Sequence, residues 1–110
     1  TVTIDIEVAD HQEEIMRGLM YRPQMDEYRG MLFVFPSEEQ RSFWMKNTYI
    51  SLDILFVDND RKIVKVQEST QPLSTEAVLS YKPARYVIEV NAGFAARHGI
   101  REGDKVTFSF

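Results

Sequence analysis

Two short apolar runs set the terms for any fold this chain can adopt. Met31-Leu32-Phe33-Val34-Phe35 follows Gly30 and stops at Pro36, and Leu52-Asp53-Ile54-Leu55-Phe56-Val57 is broken by a single acid. Runs of this length, rich in aromatic and branched residues, suit strands covered on both faces or nearly so. A third signal precedes them. Val2, Ile4, Ile6 and Val8 alternate with Thr3, Asp5 and Glu7, the period of a half-buried strand. Further strands are expected over Arg41–Lys46, Lys62–Gln67, Arg85–Val90 and Lys105–Phe110. Asp58-Asn59-Asp60-Arg61 supplies the turn of a hairpin between Leu52–Val57 and its return strand.

Helical signals are few. Asp10 with Glu13 resembles a capping box, and Ile15, Met16, Leu19 and Met20 then share one helical face. Gly18 suits close packing near the end of that helix, and Pro23 limits its continuation. Asn91 is placed to cap a second short helix running to His98 and ended by Gly99. Residues 68–82 read as a long loop, a length often tied to function in so small a domain. The total is about seven strands and two short helices, joined mostly by links short enough for antiparallel pairing. One domain over residues 1–110 is expected. The architecture that fits is a mainly β, antiparallel sandwich with one or two short helices, with a small closed β-barrel as the alternative.

Composition narrows the function classes. The net charge of −4 is a poor match to a nucleic-acid backbone. The first 40 residues hold nine acids against three bases, a mild asymmetry that suits solvated faces. The chain has no cysteine and two histidines, which excludes disulfides, thiol catalysis and Cys-ligated metals, and leaves little for a His-based centre. No metal or cofactor is expected. Asp58 and Asp60 only superficially open a calcium loop, because Lys62 takes the next ligand position. No apolar run approaches the ~20 residues of a membrane span. Strand alternation begins at once after Thr1, so the chain reads as a processed or trimmed form with any targeting segment upstream.

The densest polar and aromatic cluster is Arg41-Ser42-Phe43-Trp44-Met45-Lys46-Asn47-Thr48. A tryptophan face beside Lys46, Asn47 and Asp53 is how proteins grip sugars, by stacking on C–H faces while fixed polar groups read hydroxyls. A lone Trp is more often core, with Lys46 then snorkelling and Asn47 holding a turn. Asp53 needs a partner if it is buried, and Lys46 and Arg41 are the obvious ones. Glu68, Tyr81 and Asn91 are placed to border a cleft. Arg17 and Arg22, near one helix end, either hold an anion or bind local carboxylates and carbonyls. His11 and His98 suit helix-end positions rather than catalysis, and core filling accounts for the five methionines.

Arg17-Gly18-Leu19-Met20, Gly30-Met31-Leu32-Phe33-Val34-Phe35-Pro36, Phe43-Trp44-Met45-Lys46-Asn47-Thr48, Leu52-Asp53-Ile54, Asn91-Ala92-Gly93 and the Gly99-Ile100 … Gly103-Asp104 ending together resemble domain-of-unknown-function family 192. Ser51 departs from the proline usual at that position. The resemblance implies a small sandwich of jelly-roll type with a helix packed on it, and a bacterial or archaeal source. It also implies an extracytoplasmic location, since relatives often carry a signal or lipoprotein segment. The family has no established activity, so the resemblance carries over no catalytic residue. It places the polar–aromatic signature on Trp44, Lys46, Asn47, Thr48 and Asp53. Residues 95–108 also look like the Gly-Asp box of cradle-loop barrels, a folding device that keeps the barrel alternative open.

The reading that results is a non-catalytic, monomeric binding module for glycan or cell-envelope material, without nucleic acid. Its ligand residues are Arg41, Trp44, Lys46, Asn47, Thr48, Asp53, Glu68 and Tyr81. A hydrolase using Asp53 with Glu68 or Lys46 is one alternative. A protein-interaction domain docking through the 68–82 loop and the acidic first 40 residues is another.

Overall fold

A computed structural model describes all residues from Thr1 to Phe110. The elements, in chain order, are β1 (Asp5–Ala9), α1 (Gln12–Arg17), β2 (Arg29–Phe43), β3 (Leu52–Val57), β4 (Ile63–Gln67), β5 (Val78–Asn91) and α2 (Phe94–Arg97). The strands form one open, mixed sheet in the order β1-β2-β5-β3-β4. The apolar runs occupy its middle, and all six residues of β3 are buried. β1 pairs with β2 in parallel, the others antiparallel. That one parallel pair needs a crossover, which α1 and the segment after it supply.

Strand alternation sorts the sheet into two cores. On one face Leu19, Met31, Phe33, Met45, Leu52, Ile54, Phe56 and Val87 cluster under α1. On the other, Leu32, Leu55, Val57, Tyr86, Ile88 and Val90 pack with Phe94 and Ala95 of α2. Val2, Ile4 and Ile6 from the start of the chain and Ile100, Val106 and Phe108 from its end cover this second core.

The longest strand folds back on itself. Phe33 and Phe43 are ten positions apart in β2 and would stand roughly 33 Å apart along a straight strand. Their ring centroids are 5.1 Å apart, in an edge-to-face arrangement. Phe43 also meets Phe35 and Phe56 edge to face at 6.3 and 6.1 Å. The bend sits where pairing with β5 lapses, between Val34 and Glu39. Pro36 lies in that gap, where its missing N–H costs no ladder bond. The returning arm, Glu39–Phe43 paired with Val78–Ala84, therefore arches over the first core.

Several expectations are corrected here. The sheet does not close into a barrel, and the returning arm with α1 covers the first core where a sandwich would place a second sheet. Arg41–Lys46 is not a separate strand: β2 runs through to Phe43, and Trp44–Thr48 is a turn closed by Thr48 N–H donating to the Met45 carbonyl at 3.0 Å. The last six residues make only an isolated bridge at Lys105, opposite Lys62. The loop is shorter than 68–82, because β5 starts at Val78. The α1 cap lies one residue later than expected, with the Glu14 carboxylate accepting from the His11 N–H. Gly18 ends α1 at φ 50°, and the Phe33 ring lies 3.4 Å from where a Cβ would be, which is the close packing its place suggested. No helix is long and apolar enough to cross a membrane.

Candidate functional site

The arch of β2 and the helix α1 leave a pocket between them. It has a volume of about 310 Å³. α1 and the turn after it contribute Ile15, Met16, Leu19 and Met20, β2 contributes Phe35 and Phe43, and the turn after β2 contributes Trp44. Phe33, Leu52 and Glu89 line its inner side. The walls are thus mainly apolar, with Arg17, Gln40, Arg41, Ser42 and Thr48 as the polar minority.

Glu89 is the unusual member. It stands on β5 between Met31 of β2 and Ile54 of β3, and only 4% of its surface is exposed. No donor bonds its carboxyl, and burial pushes that group up to about 8. At neutral pH the pocket therefore holds it mostly protonated. Gly30 permits the close approach of the two backbones here, because a Cβ there would come within 2.6 Å of the Glu89 carbonyl oxygen. Sequence reasoning missed this residue. The signal is an acid inside Tyr86-Val87-Ile88-Glu89-Val90, the same pattern that surrounds Asp53.

Trp44 is not core. It is 47% exposed at the pocket wall, with the Lys46 Nζ 5.1 Å from its ring centroid. The turn that presents it is pinned from two sides. Asn47, at φ 56°, accepts the Tyr21 N–H on its carbonyl at 2.8 Å, and its Nδ2 donates to the Tyr21 hydroxyl at 2.8 Å. The Met45 N–H donates to the Ser74 carbonyl at 2.9 Å, and the Leu73 N–H to the Thr48 carbonyl at 3.0 Å. Thr48 is buried and turns its hydroxyl to the Lys46 carbonyl. Arg41 lines the same pocket, but its Nε donates to the Ala84 carbonyl at 2.9 Å, its Nη2 bonds the Ser37 carbonyl, and its guanidinium stacks 3.9 Å over Phe35. Burial lowers its pKa.

Asp53 is fully buried and pairs with neither Lys46 nor Arg41. One oxygen accepts from the Ser69 N–H at 2.9 Å, the other from Gly93 at 3.1 Å and Ala95 at 3.0 Å. It ties the 68–77 loop and the start of α2 to β3, and its oxygens are committed. This corrects its placement among ligand residues and removes it as the acid of a hydrolase. Asn91 does not cap α2 either; its Nδ2 donates to the Met25 and Asp26 carbonyls.

The remaining candidates lie apart. Tyr81, at φ 60° and 67% exposed, joins Gln67, Ser69, Thr70 and Glu76 around a second pocket of about 250 Å³. Glu68 is exposed and lines neither pocket. Of the eight, then, Arg41, Trp44 and Thr48 meet at one pocket, with Lys46 beside the tryptophan. Arg22 does not hold a free anion: its guanidinium grips the Glu7 carboxylate, and that hydrogen bond lowers the Glu7 pKa. His98 ends α2 and packs on Phe94 at 4.4 Å.

The profile of domain-of-unknown-function family 192, described as an uncharacterized ACR, matches residues 1–108. The chain belongs to that family. Two solved structures are similar to this family 192 domain. One, a proposed transcription regulator from Sinorhizobium meliloti 1021, is 41% identical over 91% of this chain and 78% of its own, with a TM-score of 0.89. The other, a protein of unknown function from Novosphingobium aromaticivorans DSM 12444, is 36% identical over 96% of this chain and 75% of its own, with a TM-score of 0.93. A comparison with curated proteins finds no match.

Proposed function

We propose that this family 192 domain is a non-catalytic binding module, and that its ligand seats in the pocket between α1 and the returning arm of β2. The observation that carries this reading is the pocket itself: about 310 Å³, largely apolar, with a half-exposed tryptophan at its wall and a buried carboxyl within. Ligand sites have this make-up, apolar walls for affinity and a few polar groups for orientation. The apolar walls favour an occupant with an aliphatic part. Glycan or envelope material remains the finer reading, and it rests on Trp44, whose exposed ring beside Lys46 offers a stacking face at the mouth. The expected monomeric state and extracytoplasmic location belong to the same proposal, the latter carried by the family resemblance. Hydrolysis by Asp53 is disfavoured, because both its oxygens already accept backbone hydrogen bonds. The regulator description of the Sinorhizobium relative brings DNA into view, and the net charge of −4 argues against phosphate contact.

The test is an amide-shift titration of the labelled domain against neutral sugars, peptidoglycan fragments and short amphipathic molecules. Saturable shifts at Met16, Leu19, Trp44 and Glu89 are expected for at least one class. Saturation confined to the Tyr81 pocket, or silence at those four residues across the panel, overturns the proposal.

A further inference from the structure

We propose that this pocket selects the ammonium end of a short aliphatic primary amine, with the Glu89 carboxylate as its counter-ion. The inference rests on the pocket being a ligand site and names what that site takes. Glu89 is 96% removed from solvent by its 4% exposure, borders the pocket, and receives no hydrogen bond from the protein. An acid in this position needs a partner to be ionised. The protein offers none. The neighbours across the sheet are Met31 and Ile54. The charged groups facing the pocket are Arg17 from α1 and Arg41 from β2. Burial is the cause of the Glu89 shift, and Arg41 is engaged by two carbonyls. β3 contributes Leu52, and the turn after β2 contributes Trp44, Met45 and Thr48, none of them titratable.

A counter-ion for the ionised form can come from a ligand, and an ammonium fits. It brings one positive charge and three donors to a carboxyl that accepts no side-chain hydrogen bond in the fold. The low dielectric that penalises the lone carboxylate strengthens its attraction to a cation placed against it. The attached alkyl chain lies along Ile15, Leu19, Phe33 and Phe43 and leaves the protein beside Trp44. The proton balance is definite. Without a counter-ion Glu89 holds a proton up to about pH 8. The ammonium displaces that proton to the buffer, and the carboxylate–ammonium pair remains. Below pH 8 the affinity therefore drops about tenfold per pH unit.

The experiment is titration calorimetry of the intact domain with n-hexylamine, n-hexanol and hexanoate, at pH 6, 7 and 8.5, in two buffers of different ionisation enthalpy. Hexylamine should bind saturably and tighten by tenfold or more from pH 6 to pH 8.5, releasing close to one proton at pH 6. Hexanol and hexanoate should bind at least tenfold more weakly at pH 8.5. Glu89→Gln, which keeps the shape and removes the charge, should lose at least tenfold in hexylamine affinity and its pH dependence. Equal binding of hexanol and hexylamine by the wild type overturns the amine assignment and leaves the pocket a ligand site, as does a Glu89→Gln variant with undiminished hexylamine affinity. Failure of hexylamine together with pocket shifts from another molecule in the titration panel has the same meaning. Silence of the pocket toward every probe brings down the ligand-site reading as well.

Discussion

Asp53 and Glu89 stand in the same sequence setting, a single acid inside an apolar strand, and meet opposite fates. Asp53 collects three backbone N–H donors and becomes a tie between β3, the 68–77 loop and α2. Glu89 collects none and faces a cavity. The need of Asp53 for a partner was legible in the sequence; the partner was not, because backbone donors carry no residue letter and arrive from sites 16 to 42 positions away. Asp53→Ala leaves three donors unsatisfied at the junction of two segments. Urea unfolding should show a loss of about 3 kcal/mol or more. A loss under about 1 kcal/mol would mean that the loop and α2 are held by their apolar contacts instead. Trp44 went the other way. Core placement is the commoner use of a lone tryptophan, and here a turn pinned by Tyr21 and Ser74 turns the ring outward.

At the level of elements, β3 and the hairpin it makes with β4 were readable because continuous apolar runs and a turn-rich link are local signals. The fold-back of β2 was not. Pro36 reads as a stop in the sequence, whereas the chain continues beyond it as the same strand through an unpaired bend. What draws the arm back is a long-range meeting of aromatic rings, with Phe43 touching Phe33, Phe35 and Phe56. Phe43→Ala removes the ring that joins arm to core. Because Phe43 is only half-buried, the expected cost is about 2–3 kcal/mol, toward the lower end for aromatic truncation. The same variant should weaken binding of any pocket ligand, since Phe43 lines the pocket. Denaturant titration and calorimetry check the two together. A stability loss without a binding loss would separate the arch from the site.

For the whole molecule, Glu89 couples the pocket to global stability. An unfolded glutamate titrates near 4.5 and the folded one near 8. Between those values the folded protein holds a proton that the unfolded chain has released, so stability falls as pH rises from 4.5 to 8 and is level above. The loss is several kcal/mol at most, at about 1.4 kcal/mol per pH unit. Glu7, lowered by Arg22, acts in the opposite sense and only in acid, as its carboxylate loses the pair. The clean measurement is the difference in unfolding free energy between Glu89→Gln and the wild type. It should grow in favour of the variant across that window and stay flat above it. A constant difference would show that Glu89 titrates alike in both states.

Residues 2–6 and 100–108 cover one core, and that places them on the face of the sheet opposite the pocket. Val2 and Ile4 at one end and Phe108 at the other lie against the α2 side of the sheet, while the pocket opens on the α1 side. A tether, fusion partner or solid support joined at either terminus thus approaches from behind. Anchored by either end, the domain would hold its pocket facing away from the point of attachment, open to whatever diffuses past.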